Sequence, residues 1–202
     1  MLSVLLNFCA KKPVNLEGDS HSSLEKRAWV DGTQIEMVYD SSVRPEQADV
    51  IDSALVEQNA ILIRTKISSN RNLISNQALP TNVNLDTISG DGKSTIYFTD
   101  TKLPAISGNS EPDALTFQRF IDNEIIEADI VFHAEAFLGK NLSHLKIDDL
   151  KVVALHELGH VLGLEHGDAI MSATVSSTIL TSPFSSAYCT ELGSRYKIQN
   201  CH

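Results

Sequence analysis

The sequence predicts an α+β domain in which about five strands and several helices share one core. Three observations support this fold class. Short segments alternate apolar and polar residues, or form apolar runs bounded by turn residues, as strands do. One segment repeats its apolar residues at helical spacing, and another places two histidines four positions apart among apolar residues. The length of 202 residues and a hydrophobic content of 42% suit one globular domain.

The elements are predicted in the order strand, helix, four strands and two helices. Alternation in residues 35–39 indicates the first strand. Residues 45–60 predict a helix, with apolar residues on one face and Pro45 in the first turn, where proline is tolerated. The remaining strands are expected over residues 61–67, 95–98, 115–120 and 125–132, the last two as a hairpin, with a loop over residues 68–92. Asp148 and Asp149 are candidate caps of the histidine-bearing helix.

The most informative segment is HELGHVLGLEH, residues 156–166. On a helix, His156 and His160 lie about 40° apart around the axis and ~6 Å along it, so both imidazoles can reach one Zn²⁺. Glu157 lies beside the first histidine, where it can reach a water molecule rather than the metal. His166 would be ~15 Å from His156 if the helix continued, so the chain must turn. Gly163 is the residue that can adopt the positive φ of such a turn.

This segment resembles the H-E-x-x-H-x-x-G-x-x-H signature of the metzincin metallopeptidases. Its residues are most similar to those of the matrixin branch, including small bacterial members. Met171, in the sequence DAIMS, is the candidate for the family's methionine turn. Ala173 stands where matrixins usually have proline and where other metzincins have a tyrosine ligand, which favours the matrixin side. The resemblance covers roughly residues 30–202. It implies a zincin fold, with a twisted mixed sheet of about five strands, an active-site helix and a C-terminal helix.

The resemblance also implies a zinc endopeptidase with one catalytic Zn²⁺ on His156, His160 and His166. Glu157 would be the general base that activates a water for attack on the peptide bond. Met171 would form an apolar floor, and a peptide or protein substrate would lie extended along the edge strand 115–120. The alternative is a non-catalytic surface lipoprotein, an adhesin or binding module, that keeps zinc for stability. An enzyme that processes a single partner protein is a further alternative.

Other residues with metal-binding side chains are interpreted more simply. His133 and His144 are expected at the surface, since the stretch between them lacks a metal-binding loop rich in aspartate and glycine. Asp86, Asp91 and Gly92 could contact Ca²⁺, but a plain turn is the preferred interpretation, and no sequence feature supports a calcium site.

The charge of the chain limits its partners. The formal net charge is −10 and the pI is about 5.0, which argues against binding to nucleic acid or to anionic lipid. The acidic balance indicates a soluble surface, and a monomer is expected.

Residues 1–28 are expected to be a signal-like N-terminus and a polar tether, and residues 29–202 the catalytic domain. Cys9 follows a short apolar run and precedes polar residues, which resembles a bacterial lipoprotein signal whose cysteine is acylated. A partly apolar, disordered N-terminus is the alternative. The hypothesis predicts an exported protein, either a cell-envelope lipoprotein anchored by its lipid or a secreted enzyme. No segment has the ~20 apolar residues that span a bilayer.

Cys189 and Cys201 form an even pair near the C-terminus, and outside the cytoplasm such a pair tends to oxidise. Two free thiols are the alternative. The last helix is expected to start near Ser182 and Pro183, to run to Tyr196 and to pack behind the zinc site.

Overall fold

The structure, a computed structural model, describes residues 3–8, 26–74, 88, 90–104, 111–137, 145–175 and 177–201. Its sheet contains six strands in the order β1-β5-β6-β4-β2-β3. Strands β1, β5 and β6 are antiparallel neighbours, whereas β6, β4, β2 and β3 run parallel. The strands are β1 (Ser3–Phe8), β2 (Gln34–Tyr39), β3 (Lys66–Asn70), β4 (Ser94–Thr99), β5 (Ala114–Ile121) and β6 (Glu124–His133). The predicted α+β class with a mixed sheet is confirmed.

Helices cover one face of this sheet. They are α1 (Pro45–Ile61), α2 (Ala134–Phe137), α3 (Ile147–Val161) and α4 (Ser186–Gly193), with 3₁₀ turns at Ala169–Met171 and Ser177–Thr181. Helices α1 and α3 pack against each other and share the main core with the sheet. Phe98 and Phe132 stack there with ring centroids 5.1 Å apart, and Phe137 meets both rings edge-on. The pattern of apolar residues on one helical face therefore identified α1 correctly.

The opposite face of the sheet carries a second, smaller cluster around Leu115, Phe117 and Val131. Strand β5 is consequently buried on both faces, and Thr116 and Gln118, which alternate with its apolar residues, point toward α3. Strand β5 is thus almost fully enclosed over its first five residues.

Two predicted elements begin at the wrong residue. The strand expected over residues 61–67 begins only at Lys66, because α1 continues to Ile61 and the parallel partner β2 starts opposite Lys66. Helix α4 begins at Ser186 rather than near Ser182, since the Ser185 hydroxyl accepts the Tyr188 amide and fixes the start.

Asp148 and Asp149 do not cap α3. The N-cap position is Lys146, and both aspartates lie in the first turn of the helix. Their charges remain favourable there, because the exposed amides of a helix N-terminus carry partial positive charge.

Strand β1 is formed by the apolar run that precedes Cys9. It pairs antiparallel with β5 over Ser3–Phe8, opposite Leu115–Phe120. Strand β5, which was predicted to be the edge strand, is therefore internal to the sheet as described. Cys9, Asp86 and His144 lie outside the described residues. Within the described part of the chain, no helix is both long and apolar enough to cross a membrane.

The two ends of the described domain meet next to α3. Trp29 donates its indole N–H to the Val161 carbonyl over 2.8 Å, and the Tyr196 hydroxyl donates to the Leu162 carbonyl over 3.1 Å. The C-terminal tail is fixed by a disulfide between Cys189 and Cys201, the pair that the sequence singled out. The tail also pairs with the end of α1, through Leu62 and Ile198.

Candidate metal centre and active site

Three histidine side chains converge at the C-terminal end of α3. The Nε2 atoms of His156 and His160 are 3.0 Å apart, and those of His160 and His166 are 3.3 Å apart. His156 and His160 are fully buried, whereas His166 comes from the exposed loop that follows the helix. The predicted ligand set is thus brought together at one point.

Backbone carbonyls fix the orientation of the two helical histidines. His156 Nδ1 lies 2.6 Å from the Ile170 carbonyl oxygen, and His160 Nδ1 lies 2.7 Å from that of Leu164. A carbonyl only accepts, so each Nδ1 carries the proton and each Nε2 presents a lone pair. Burial lowers the pKa of His156 to about 3 and also lowers that of His160. Both imidazoles are therefore neutral at neutral pH.

This arrangement fits a divalent cation. Two neutral imidazoles whose lone pairs face each other cannot hydrogen-bond to one another, because neither Nε2 has a proton to donate. The ligand atoms of His156, His160 and His166 all lie within 4.8 Å of one another. Nitrogen donors in a set of three are typical of catalytic zinc sites.

The turn that brings His166 back is built around Gly163. Its φ of +83° is the left-handed conformation that the sequence predicted. Any side chain here would also overlap the Arg27 carbonyl oxygen, so the N-terminal segment packs directly on the turn. Beyond it, the Gly167 amide donates to the Met171 carbonyl over 2.9 Å, which closes the short loop between the third ligand and the methionine.

Met171 lies beneath the histidines and contacts α3 at Gly159. A Cβ added to Gly159 would overlap the Met171 sulfur and would lie 3.6 Å from the ring of Tyr188. The glycine inside the helix is therefore needed for close approach, a role that the sequence analysis missed. The signal was its position, because glycine is unfavourable within a helix unless something packs against it. Tyr188 places α4 behind the site, as predicted.

Glu157 is fully buried beside the histidines. Its Oε2 accepts a hydrogen bond from the Thr116 hydroxyl over 2.6 Å, whereas its Oε1 is buried and has no hydrogen-bond partner among the described residues. Burial raises the pKa of this carboxyl to about 8, and the Thr116 hydrogen bond opposes the increase. When the carboxyl is ionised, its unpartnered oxygen can accept a proton from a molecule bound in the site.

Strand β5 contributes two further polar side chains that the sequence analysis did not select. Thr116 contacts Glu157, and the Gln118 amide donates to the His160 carbonyl. Both are buried. The available signal was that Thr116 and Gln118 alternate with the apolar residues Leu115 and Phe117.

The other candidate ligands do not join this group. In the described ranges, His156, His160 and His166 form the one cluster of three or more side chains able to hold a metal. The Asp91 carboxylate accepts the Lys93 amide over 2.9 Å, which is the turn contact preferred from the sequence. His133 ends β6 and is partly buried, so its expected surface position is only partly correct.

The chain matches one protein-family model, the matrixin model Peptidase_M10, over residues 87–184. This range begins before β4 and includes β5, α3, the three histidines and Met171. Among curated proteins, none matches the chain. The converging histidines, the glycine turn, the methionine beneath them and this family match lead to one assignment. Over residues 87–184 the chain is similar to the matrixin family of metzincins.

Proposed function

We propose that the protein is a zinc-dependent endopeptidase with Glu157 as its general base. The observation that carries this proposal is the unpartnered Oε1 of Glu157, buried next to three converging histidine nitrogens. Buried polar atoms in proteins nearly always have a partner, so an atom left free at such a place is available to a ligand.

Zinc bound by the three histidines would supply a water acidified toward a pKa of ~7 and would polarise the scissile carbonyl. The protein's own contribution is proton transfer and orientation. Glu157 accepts the proton of the attacking water at Oε1 and later delivers it to the departing amine. The carbonyls of Ile170 and Leu164 keep His156 and His160 in the tautomer whose Nε2 faces the site.

A purely structural zinc site is less well supported. Such sites are usually closed by four protein ligands. The cluster found in the described residues has three, and the nearby carboxyl of Glu157 is held on Thr116. This arrangement favours the enzyme over the alternative of a non-catalytic lipoprotein that is stabilised by zinc.

We further propose that a substrate binds along β5, and that β1 must leave before it can do so. Strand β1 pairs with β5 over the same residues that were expected to receive the substrate. The Thr116 and Gln118 side chains connect that part of β5 to α3, so a peptide paired there passes close to Glu157.

Export and lipidation at Cys9 fit this proposal. If the chain is processed so that Cys9 becomes the first residue, Ser3–Phe8 is removed and β5 becomes the edge of the sheet. The disulfide between Cys189 and Cys201 supports an oxidising compartment outside the cytoplasm. Retention of the protein in the membrane fraction, and its release by Cys9→Ala, would test the anchor.

The decisive experiment incubates zinc-loaded protein with a diverse peptide library, with and without a chelator. Chelator-sensitive cleavage is expected, and mass spectrometry of the products would identify the bonds cut. Glu157→Gln loaded with the same amount of zinc is the matched control, and it should leave the library uncut. Equal cleavage by this variant would contradict the proposal. A library left intact by wild-type protein, followed by cleavage of one protein from the native host, would instead favour the single-substrate alternative.

A further inference from the structure

We infer that Thr116 is a positioning residue for Glu157. Its hydroxyl holds one carboxylate oxygen, so that the other oxygen faces the attacking water. The inference rests on the proposed function and deepens it, because it concerns how the base is oriented rather than whether a base is present.

The contact is short and enclosed. Thr116 is fully buried in the middle of β5, and its Oγ1 lies 2.6 Å from Glu157 Oε2 and 3.3 Å from the Glu157 carbonyl oxygen. A hydroxyl has one proton to donate. The shorter distance is typical of a hydrogen bond to a carboxylate, so the Thr116 hydroxyl donates to Oε2 rather than to the carbonyl oxygen.

The bond leaves Glu157 with one oxygen occupied and one free. In the described part of the protein, Oε2 is held by Thr116, and Oε1 has no partner. A carboxylate can rotate about its last side-chain bond, which is a soft torsion. The Thr116 hydroxyl removes that freedom and thereby separates the two oxygens into an anchored one and a reactive one.

Strand β5 is well suited to provide this anchor. Thr116 is paired with Ile130 of β6, and this pairing does not depend on β1. Two positions along, Gln118 also donates to α3, at the His160 carbonyl. The strand and the helix are therefore joined by two side-chain contacts, each to a residue of the HExxH motif. An anchor on a rigid strand holds geometry better than one on a loop.

The test compares Thr116→Val with Thr116→Ser. Valine keeps the shape of threonine and removes the hydroxyl, whereas serine keeps the hydroxyl and removes the methyl group. If Thr116 orients Glu157, valine should lower kcat about tenfold or more with KM changed less than about twofold, and serine should keep most of kcat. If Thr116 only fills space, valine should match wild type and serine should be the weaker variant. That second ranking would overturn the inference.

Zinc content and melting temperature are measured on every variant, and Thr65→Val is the matched control. Thr65 is also fully buried, and its hydroxyl accepts the Gly32 amide away from the histidines. This control should lower the melting temperature and leave kcat unchanged. If Thr116→Val does not fold, Thr116→Ala replaces it, and serine should then exceed alanine by about tenfold in kcat.

A second readout does not depend on turnover. In metal-free protein, Thr116→Val should lower the melting temperature in the wild-type background by at least twice as much as in the Glu157→Ala background, where no carboxylate remains to be held. Equal shifts in both backgrounds would overturn the inference even if the protein is a peptidase. If the two melting-temperature shifts differ but the protein cleaves no peptide, the Thr116–Glu157 contact exists and the proposed function is wrong.

Discussion

On the face of the sheet that carries α3, the carboxyl of Glu157 is fully buried, and on the opposite face so is that of Asp129. Burial raises the pKa of each to about 8, and within the described ranges each keeps one oxygen without a hydrogen-bond partner. By burial and by pKa the two groups are alike. They differ in what surrounds them.

Asp129 is surrounded by groups that stabilise a fold. Its Oδ1 accepts the Thr95 amide over 2.9 Å, and its neighbour Glu127 accepts the Gly90 and Gly92 amides and lies 3.5 Å from the Arg119 guanidinium. Glu157 instead follows His156 in the helix, where three imidazoles converge and those of His156 and His160 direct their lone pairs inward. A buried carboxyl with a raised pKa therefore indicates a reactive site only when its neighbours can bind what it reacts with.

The largest expected effect separates the two carboxyls by activity. Glu157→Gln should lose at least ~10²-fold in kcat while it retains near-stoichiometric zinc, because Glu157 is not a ligand. Asp129→Asn should keep the wild-type kcat. The rate of peptide cleavage and the zinc content are measured for both variants. A loss of activity in Asp129→Asn at full zinc content would remove the distinction between the faces. His160→Ala, by contrast, should lose both zinc and activity.

Disrupting strand β1 tests whether substrate binds along β5, next to α3. Leu5→Pro combined with Leu6→Pro should break the pairing with β5, because proline has no backbone N–H to donate. We expect about a tenfold increase in kcat/KM for peptide substrates, on the scale of a competing strand worth ~1.4 kcal/mol. A protein that begins at Cys9 lacks β1 altogether, so it serves as the reference for an unpaired β5 edge. Unchanged kcat/KM in both proteins would show that β1 does not compete with substrate.

The disulfide contributes to stability rather than to chemistry. Replacing Cys189 and Cys201 together by alanine should cost up to ~3 kcal/mol of the free energy of unfolding, from the chain entropy of a short closed loop. Zinc content should stay the same. Thermal denaturation and metal analysis check both statements. Loss of zinc from the double variant would mean that the tail supports the metal centre directly.

Asp129, on the face of the sheet opposite α3, should make the stability of the protein depend on pH. The pKa of Asp129 is about 8 in the folded protein and ~3.9 when unfolded, so the folded state binds its proton more tightly. Its contribution to stability is complete below pH ~4 and is lost as the pH rises through about 8. Asp129→Asn should therefore gain stability relative to wild type between pH 5 and 8, by a few °C. Melting temperatures are measured for both proteins at each pH. A difference between them that stays constant from pH 5 to 8 would contradict a raised pKa for Asp129.

The smallest effect is expected at the floor of the site. Met171→Leu conserves volume and should cost less than ~1.5 kcal/mol, with activity largely retained. Gly159→Ala is the informative companion, because its added methyl group would overlap the Met171 sulfur. It should destabilise the protein by ~1–3 kcal/mol. Abolished zinc binding in Met171→Leu would show that the methionine is more than a floor.

Much of this architecture could be predicted because local patterns and tertiary packing agree. Helix α1 shows its apolar face in the sequence, and the β5–β6 hairpin has a turn at Asp122 and Asn123, both with positive φ. The metal ligands were predictable because the spacing of a helix fixes His156 and His160.

The failures come from contacts that no local pattern contains. Strand β3 begins where β2 offers a parallel partner, and α4 begins at a serine whose side chain happens to reach an amide. Thr116 was missed for the same reason. Its importance arises from a contact across 41 positions in the chain, between a strand and a helix that neither segment predicts alone.

The turn at Gly163 has a consequence for how the protein is made. It is braced by Trp29 from one end of the domain and by Tyr196 from the other, and these two residues are themselves joined across 167 positions by a 3.0 Å hydrogen bond. Such a brace can form only after residue 196 has left the ribosome. A nascent polypeptide with residues 156–166 already exposed therefore still lacks the support that holds His166 in place. We expect the proposed capacity for hydrolysis to arise only after residue 196 has been made, so that a shorter nascent chain cannot yet cut its neighbours.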